Sequence, residues 1–173
     1  MTQVLAISGS LRAISYNSAA LRAARRLAPR GMVVDIYGEM AQLPHFNPDL
    51  EEEPLPARVR ALRDQVGAAD ALLIACPEYA HGIPGAFKNL LDWLVGSTEF
   101  PGKAVALFNC SPRASDAQSA LRNVLTTMSA RLVEDASIDL PLLGSGLGED
   151  GIVRDPEMAP RIRAVLDKLA ALA

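Results

Sequence analysis

Short apolar segments of strand character alternate along this chain with segments that repeat apolar residues at helical spacing. The helical segments carry apolar residues at positions i, i+3, i+4 and i+7, the spacing of a face that packs on a core. Such alternation is typical of βα units around a parallel sheet, and it predicts an α/β fold. The predicted strands are residues 3–8, 32–37, 70–76, 104–110 and, with the weakest pattern, 132–138.

Five strands with intervening helices predict a three-layer, doubly wound fold whose parallel sheet has the strand order 2-1-3-4-5. At 173 residues the chain is expected to be a single domain, 1–173. Ligands of such sheets bind at the carboxyl ends of the strands, where the winding reverses between strands one and three. The loops after strands one, three and four are therefore the candidate site. Two irregular stretches, 39–56 and 141–160, are interpreted as connections, although the first is long enough to suggest a role of its own.

The predicted helices each present an apolar face, which we interpret as core packing rather than as a cofactor site. The predicted core residues are Val59, Leu62 and Val66 in the second helix, Phe87, Leu90, Leu91 and Leu94 in the third, Leu121, Val124, Leu125 and Met128 in the fourth, and Ile162, Val165, Leu166 and Leu169 in the last. Trp93 is also expected to pack in the core or in an interface.

The loop after the first strand combines small polar side chains with one guanidinium group. Its polar residues are Ser8, Ser10, Arg12, Ser15, Asn17 and Ser18. A helix is predicted from about Ala19, and the positive end of its dipole and its unpaired N–H groups suit a phosphate dianion. The same residues also serve as ordinary N-caps, which contribute about 1 kcal/mol with no ligand present. The density of hydroxyls favours phosphate binding, and capping stays the alternative.

The loop after the third strand is shaped by two prolines and two glycines. It runs from Cys76 to Gly85, and Pro84 is well placed for the first turn of the following helix. Tyr79 and His81 offer planar faces in the same loop. A flat heteroaromatic ring would meet backbone N–H groups there, and the helix N-terminus would tolerate negative charge. That environment suits a reduced flavin.

Composition and charge exclude several classes of function. The chain is 50% hydrophobic and 21% charged, with a net charge of −3 and no basic stripe, so nucleic acid is not an expected partner. Its apolar runs are far shorter than the roughly 20 residues of a membrane span. The N-terminus does not resemble a signal peptide, because a strand begins almost at Met1. We expect a cytoplasmic protein that does not interact with membranes.

Two cysteines and two histidines complete the inventory of reactive groups. Cys76 and Cys110 each end a predicted strand, so a redox pair is conceivable, but buried free thiols are favoured. His45 and His81 are expected to stand alone, because no cysteine or histidine lies at metal-ligand spacing from them. No metal site is predicted.

Two motifs in order resemble the NADPH-dependent FMN reductase family. The first is Gly9-Ser10-Leu11-Arg12 with Ser15 and Asn17; the second is Pro77-Glu78-Tyr79 with Pro84-Gly85 and Lys88-Asn89. The resemblance runs from residue 3 to about residue 110. It implies a flavodoxin-like fold and bound FMN, and it places the chain with quinone, chromate and azo-dye reductases. Ala80 and Gly82 depart from the Asn or Gly and the Ser of many relatives.

The resemblance also implies which residues bind the cofactor. Ser10, Arg12, Ser15, Asn17 and Ser18 would hold the FMN phosphate. The isoalloxazine ring would be lined by Pro77, Glu78, Tyr79, Ala80, His81 and Gly82, with Ser111 on its other side. The family is usually dimeric, with the third helix in the interface and residues 43–50 reaching toward the partner, so a homodimer or tetramer is expected.

The expected activity is that of an NAD(P)H-dependent oxidoreductase. NADPH or NADH would give hydride to FMN, and a quinone, free flavin or other small acceptor would then take the electrons in a ping-pong cycle. No catalytic side chain is required. The alternative is a flavin-binding electron carrier without NAD(P)H turnover. A phospho-receiver domain is excluded, because Ser8-Gly9-Ser10 and Cys76-Pro77 stand where that class needs acidic residues.

Overall fold

A parallel β-sheet forms the centre of the molecule in the computed structural model, which describes residues 1–52, 54–111, 113 and 115–172. In chain order the elements are β1 (Thr2–Ser8), α1 (Tyr16–Leu27), β2 (Met32–Ile36), α2 (Ala57–Ala68), β3 (Ala71–Ala75), α3 (Gly85–Val95), β4 (Ala104–Asn109), α4 (Ser115–Thr127), β5 (Arg131–Leu132), β6 (Ile138–Asp139), α5 (Glu149–Arg154) and α6 (Met158–Ala170). Short 3₁₀ turns occupy Met40–Gln42, Pro48–Leu50 and Glu134–Ala136.

The sheet has the order β2-β1-β3-β4-β5, with β6 pairing alongside β4. All of these pairings are parallel, and Ala6 of β1 lies opposite Ile36 of β2 and Leu73 of β3. The predicted doubly wound, flavodoxin-like α/β fold with order 2-1-3-4-5 is therefore confirmed. The carboxyl ends of β1, β3 and β4 meet at one edge, where their loops can form a common site.

Side chains of successive strand residues point to opposite faces, and each face is covered by helices. Leu5 and Ile7 belong to the core beneath α2, α3 and α4, whereas Val4 and Ala6 belong to the core beneath α1, α5 and α6. The predicted helix faces lie in these two cores, except that Val124 is only partly buried. Phe87 and Trp93 are fully buried, which confirms their packing role.

The face of the sheet that receives α1 is rich in alanine. Ala6 and Ala106 of the strands and Ala20 and Ala24 of α1 are all 0% exposed. Small side chains on both surfaces let α1 lie close to the sheet. The close packing fixes the orientation of the helix. This packing holds the N-terminus of α1 near the end of β1.

The fifth strand, predicted at 132–138, is instead two short strands separated by the Glu134–Ala136 turn. Ser137 explains the interruption, because its Oγ accepts a hydrogen bond from Leu107 N–H at 3.1 Å and donates one to Val133 O at 3.1 Å. A side chain thus satisfies a strand donor that backbone pairing would otherwise satisfy. The acidic residues Glu134 and Asp135 stay exposed in the turn.

Two other boundaries differ from the sequence prediction. α1 begins at Tyr16 rather than near Ala19, because Ser15 is its N-cap and accepts a hydrogen bond from Ser18 N–H. The interpretation of 141–160 as a mere connection is wrong, since Glu149–Arg154 forms α5 and α6 begins at Met158. The sequence prediction missed α5 because the segment is rich in glycine and the helix is only 6 residues long.

The segment between β2 and α2 docks on α3. Pro44 O accepts hydrogen bonds from Trp93 Nε1 at 2.8 Å and from Asn89 Nδ2 at 3.0 Å, and Phe46 N–H donates to Asn89 Oδ1 at 2.7 Å. The Phe46 and Trp93 rings meet edge to face with centroids 5.1 Å apart. Polar groups of a surface segment are thereby satisfied by buried or partly buried side chains of α3.

Within the described ranges, no helix is both long enough and apolar enough to cross a lipid bilayer.

Truncating a side chain in the middle of the sheet should cost far more stability than the same truncation near the chain end. Leu73→Ala removes a fully buried side chain of β3 and should lower the free energy of unfolding by about 2–5 kcal/mol. Leu172→Ala, at a position that is 39% exposed, is the control and should cost about 0.5 kcal/mol. Urea unfolding of both variants measures the difference. Equal losses would contradict the assigned core.

Candidate ligand-binding cavity

A cavity of about 710 Å³ lies at the carboxyl ends of β1, β3 and β4. Four segments of the chain line it. The lining residues are Ser10, Arg12, Ala13, Ile14, Ser15, Tyr16, Asn17, Ala19 and Arg22 from the first segment, Pro77, Glu78 and Tyr79 from the second, Cys110, Ser111 and Arg113 from the third, and Leu143, Gly146, Leu147 and Gly148 from the fourth. Its size is that of a small-molecule or cofactor site.

Hydroxyl groups shape the first loop by bonding within it. Ser8 Oγ lies 2.9 Å from Ser18 Oγ and accepts a hydrogen bond from Ser10 N–H at 3.3 Å. Ser10 Oγ in turn accepts from Arg12 N–H at 3.3 Å, and Ser15 Oγ accepts from Ser18 N–H at 3.4 Å. Ser10 and Ser15 line the cavity, whereas Ser18 does not. The loop is therefore held in place by its own side chains before any ligand binds.

Asn17 supplies a polar group that has no partner among the residues that the structure describes. The residue is 8% exposed, lines the cavity, and its Oδ1 is buried without a hydrogen bond. A buried polar atom left unsatisfied costs about 1–3 kcal/mol, and a ligand or bound water that bonds to it removes that cost. The carboxamide in the first turn of α1 is therefore available to a ligand.

Two arginines that line the cavity, Arg12 and Arg22, differ in their ion pairing. Arg22 Nε lies 3.2 Å from Glu149 Oε2, so its charge is partly compensated. The exposed Arg12 forms no ion pair with any acidic group in the described portion of the chain. An uncompensated guanidinium beside a helix N-terminus creates a positive potential that favours an anion.

The second loop turns sharply after Tyr79. Tyr79 and Gly82 exchange two backbone hydrogen bonds of 3.1 Å, and the two residues between them, Ala80 and His81, have φ of +49° and +59°. Positive φ at both central positions is the conformation of a type I′ turn, which favours Gly or Asn and strains other residues. Pro77, Glu78 and Tyr79 line the cavity, whereas Ala80, His81 and Gly82 lie outside its lining.

Glu78 joins the second loop to the start of α4. Its Oε2 accepts a hydrogen bond from Ala117 N–H at 2.9 Å, and its side chain is 16% exposed. His81 Nδ1 lies 2.8 Å from Asp116 Oδ2 and 3.6 Å from Glu78 Oε1. The expectation that His81 stands alone is therefore wrong, because the fold brings α4 beside a turn that is 35 residues earlier.

Ser111 of the third loop lines the cavity. Ser111 N–H donates to Asn109 Oδ1 at 3.1 Å, and Asn109 Nδ2 donates to Asp139 Oδ1 at 2.9 Å. This chain of bonds links the loop to β6. Two residues of the predicted loop, Pro112 and Ala114, lie outside the described residues.

Sequence reasoning missed the fourth wall, formed by Leu143 and residues 146–148. Tyr16 Oη accepts a hydrogen bond from Gly146 N–H at 3.2 Å, which ties this wall to the first turn of α1. Gly144 and Gly146 have φ of +80° and +71°, so glycine suits the path of the chain here. The glycines between 144 and 151 were the available signal.

Ion pairs between α1 and α5 fix the helix that follows the fourth wall in the chain. Arg22 bonds Glu149, and Arg26 bonds Asp150. The hydrogen bond from Arg26 is the main cause that holds the pKa of the Asp150 carboxyl below its usual value. Because these charges are largely exposed, the pairs direct the placement of α5 more than they add stability.

Both cysteines are free and buried, as the sequence favoured. Burial raises the pKa of the Cys76 thiol to about 12 and that of the Cys110 thiol to about 12. Both side chains are therefore protonated at neutral pH and are poor nucleophiles. Cys110 lines the cavity as a small apolar group rather than as a redox centre.

The sheet order and the cavity together define a doubly wound, flavodoxin-like protein with a ligand site at the carboxyl edge of its sheet. The NADPH-dependent FMN reductase family model matches residues 2–140. The chain belongs to the NADPH-dependent FMN reductase family.

Individual relatives agree with this assignment. A segment of 111 residues, 63% of this chain, is 43% identical to an NAD(P)H-dependent FMN reductase of Pseudomonas aeruginosa and spans 60% of that protein. A quinone reductase of Pseudomonas putida is 32% identical, with 99% of this chain and 96% of the relative covered. The solved structure of FerB, a flavoenzyme NAD(P)H:(acceptor) oxidoreductase from Paracoccus denitrificans, matches with a TM-score of 0.85 and 27% identity, covering 99% and 97% of the two chains.

Removing the Tyr16 hydroxyl should loosen the fourth wall of the cavity. In Tyr16→Phe the Gly146 N–H loses its acceptor, and because such a bond contributes about 1 kcal/mol, exchange of that amide should accelerate roughly fivefold. Hydrogen exchange of residues 144–148 measures this. Tyr37→Phe is the matched control, since the Tyr37 hydroxyl is buried in another part of the core and has no hydrogen-bond partner in the described ranges. Unchanged hydrogen exchange in Tyr16→Phe would contradict a stabilising role for the hydrogen bond between Gly146 N–H and Tyr16 Oη.

Proposed function

We propose that the chain is an NAD(P)H-dependent oxidoreductase that binds FMN in the cavity and passes electrons to quinones, free flavin or other small acceptors. The observation that carries this proposal is the first loop, where a capped helix N-terminus and the side chains of Arg12 and Asn17 face one cavity. Among the described residues, Arg12 has no ion-pair partner and Asn17 Oδ1 has no hydrogen-bond donor. That set of groups fits a phosphate monoester joined to a polar chain. The names of the relatives support the same reaction.

The phosphate end of the cofactor would lie in the first loop. Ser10, Arg12, Ser15 and Asn17 line the cavity and would contact the phosphate and the atoms next to it. Ser18 would act differently, because its N–H and hydroxyl bond Ser15 and Ser8 and so fix the loop. In this proposal the hydroxyl network is a preformed anchor, which reduces the entropy lost on binding.

The ring of the cofactor would lie between the second and third loops. Pro77, Glu78 and Tyr79 would line one side and Ser111 the other, as cavity-lining residues. Ala80, His81 and Gly82 would act through the shape of the turn, since they lie outside the cavity lining. Glu78 would position the loop, because its carboxylate is bonded to the N-terminal turn of α4.

FMN, when bound, supplies the hydride acceptance and delivery that no side chain of the cavity can provide. The residues of the chain bind the cofactor, orient it and leave one face open. The rim of the cavity carries exposed apolar side chains, with Ile14 87%, Leu143 54% and Tyr79 46% exposed. Such a rim suits flat, weakly polar acceptors such as quinones. Donor and acceptor sharing one open face would bind in turn, which is the basis of ping-pong kinetics.

Three further properties belong to the same proposal. Residues 1–173 would form a single FMN-binding domain. The protein would assemble as a homodimer or tetramer, as family resemblance implies, which light scattering would measure. A pyridine-nucleotide donor also fits the cytoplasmic location expected from the sequence.

The colour of the flavin tests the proposed activity directly. Protein reconstituted with FMN should be yellow, and NADPH or NADH added without oxygen should bleach the flavin absorbance, which a quinone should then restore. Initial rates at varied donor and acceptor should give parallel double-reciprocal lines. Binding of FMN without bleaching by either nucleotide would support the electron carrier instead. Absence of FMN binding would overturn the whole assignment.

The phosphate role of Arg12 has its own test. Arg12→Ala should weaken FMN binding roughly 10- to 100-fold, because a charge-assisted hydrogen bond contributes about 1.5–3 kcal/mol. Riboflavin lacks the phosphate, so its affinity should hardly change. Arg25→Ala removes an exposed arginine at the other end of α1 and is the matched control. Fluorescence titration measures all four affinities, and an equal loss for FMN and riboflavin in Arg12→Ala would refute the role.

A further inference from the structure

Three potential metal ligands converge beside the cavity, and neither the sequence prediction nor the proposed reaction uses them as a group. Glu78 and His81 come from the turn after β3, and Asp116 comes from the first turn of α4. One ligand atom from each residue lies within 4.8 Å of the other two. We call these three residues the Glu-His-Asp cluster.

The geometry centres on one imidazole nitrogen. His81 Nδ1 lies 2.8 Å from Asp116 Oδ2 and 3.6 Å from Glu78 Oε1. Around a tetrahedral zinc ion with bonds of about 2.0–2.2 Å, ligand atoms lie roughly 3.3–3.6 Å apart. The two separations from His81 Nδ1 bracket this spacing, and all three ligand atoms lie within 4.8 Å of one another, so side-chain rotations can bring them around one ion.

The acidic members of the cluster pair with its histidine rather than with a lysine or an arginine of the described chain. Within the described residues, neither Glu78 nor Asp116 forms an ion pair with a lysine or an arginine; His81 is the partner of both. Two carboxylates and one imidazole form a ligand set of the kind that binds a divalent cation. Acidic side chains that form ion pairs elsewhere in the described chain, such as Glu149 and Asp92, have an arginine or lysine partner instead.

A backbone hydrogen bond already orients Glu78, one of the three proposed ligands. Glu78 Oε2 accepts the Ala117 N–H at 2.9 Å, which turns the other carboxylate oxygen toward His81. Hydrogen bonds of this kind orient the ligands of metal sites and raise affinity for the ion. The Glu78 side chain is 16% exposed, whereas that of His81 is 84% exposed, so the site is buried on one side and open on the other.

We propose that Glu78, His81 and Asp116 bind a divalent transition-metal ion of the zinc type, with the fourth position open to water. Imidazole nitrogen favours Zn²⁺ and its neighbours over Mg²⁺ and Ca²⁺, which take oxygen ligands. A bound ion would join the turn after β3 to α4 at the rim of the cavity. The proposal does not depend on the proposed reaction, because no part of it uses the flavin or the electron donor.

Calorimetric titration of the full-length, chelator-treated protein with Zn²⁺ tests this site. We expect one saturable ion per chain, with binding weakened at least tenfold in both His81→Ala and Asp116→Asn. His45→Ala removes the other of the 2 histidines and is the matched control, which should bind as the parent does. Glu78 is not substituted, because it also holds α4. Thermal melting of each variant shows whether it folds. If His81→Ala does not fold, the affinity of Asp116→Asn for Zn²⁺ decides the test.

Co²⁺ absorbance identifies the ligands independently. A 1:1 complex with visible bands but no thiolate charge-transfer band is expected, and the bands should be lost in His81→Ala. No saturable binding would show that His81 and Asp116 form an ion pair only, and it would overturn the proposal. So would weak binding of several ions that His81→Ala leaves unchanged, loss of binding in His45→Ala, or a thiolate band from Cys76 or Cys110.

Discussion

The site depends on the close packing of α1 against the alanine-lined face of the sheet. Ala20 and Ala24 of the helix and Ala6 of β1 are fully buried, and the Ser8 and Ser18 hydroxyls lie 2.9 Å apart where strand and helix meet. This packing aims the N-terminus of α1 into the space beyond the strand ends. A larger side chain at these alanines would shift the helix, and with it the anion site, without touching a ligand.

The cavity needs a second constraint, because a helix N-terminus alone is open to solvent. The fourth wall supplies it: Tyr16 bonds the backbone at Gly146, and α5 pairs its acidic residues with Arg22 and Arg26 of α1. Both ties end on α1, the helix that carries the anchor. One helix thus organises the phosphate end of the cavity and its opposite wall, although 130 residues separate Tyr16 from Gly146.

The sequence predicted the fold well because strands and helices are identified by local residue spacing. Once these elements are known, a parallel sheet with right-handed crossovers allows few strand orders. The sequence predicted the hydroxyl-rich loop for the same reason. Residues 143–148 and α5 were missed, since their role comes from contacts with α1 far away in the chain. The split of the last strand at Ser137 was missed too, because it depends on one side-chain bond to Leu107.

Glu78 shows why a residue's type does not reveal its role. From the sequence, the family resemblance assigned Glu78 only to the lining of the isoalloxazine ring. In the structure one oxygen holds the start of α4 and the other faces His81, while the side chain lines the cavity. The carboxylate therefore couples three regions: the ligand cavity, the strained turn of Ala80 and His81, and the helix that carries Asp116. A ligand that displaced Glu78 in the cavity would therefore also disturb its contacts with His81 and with the start of α4.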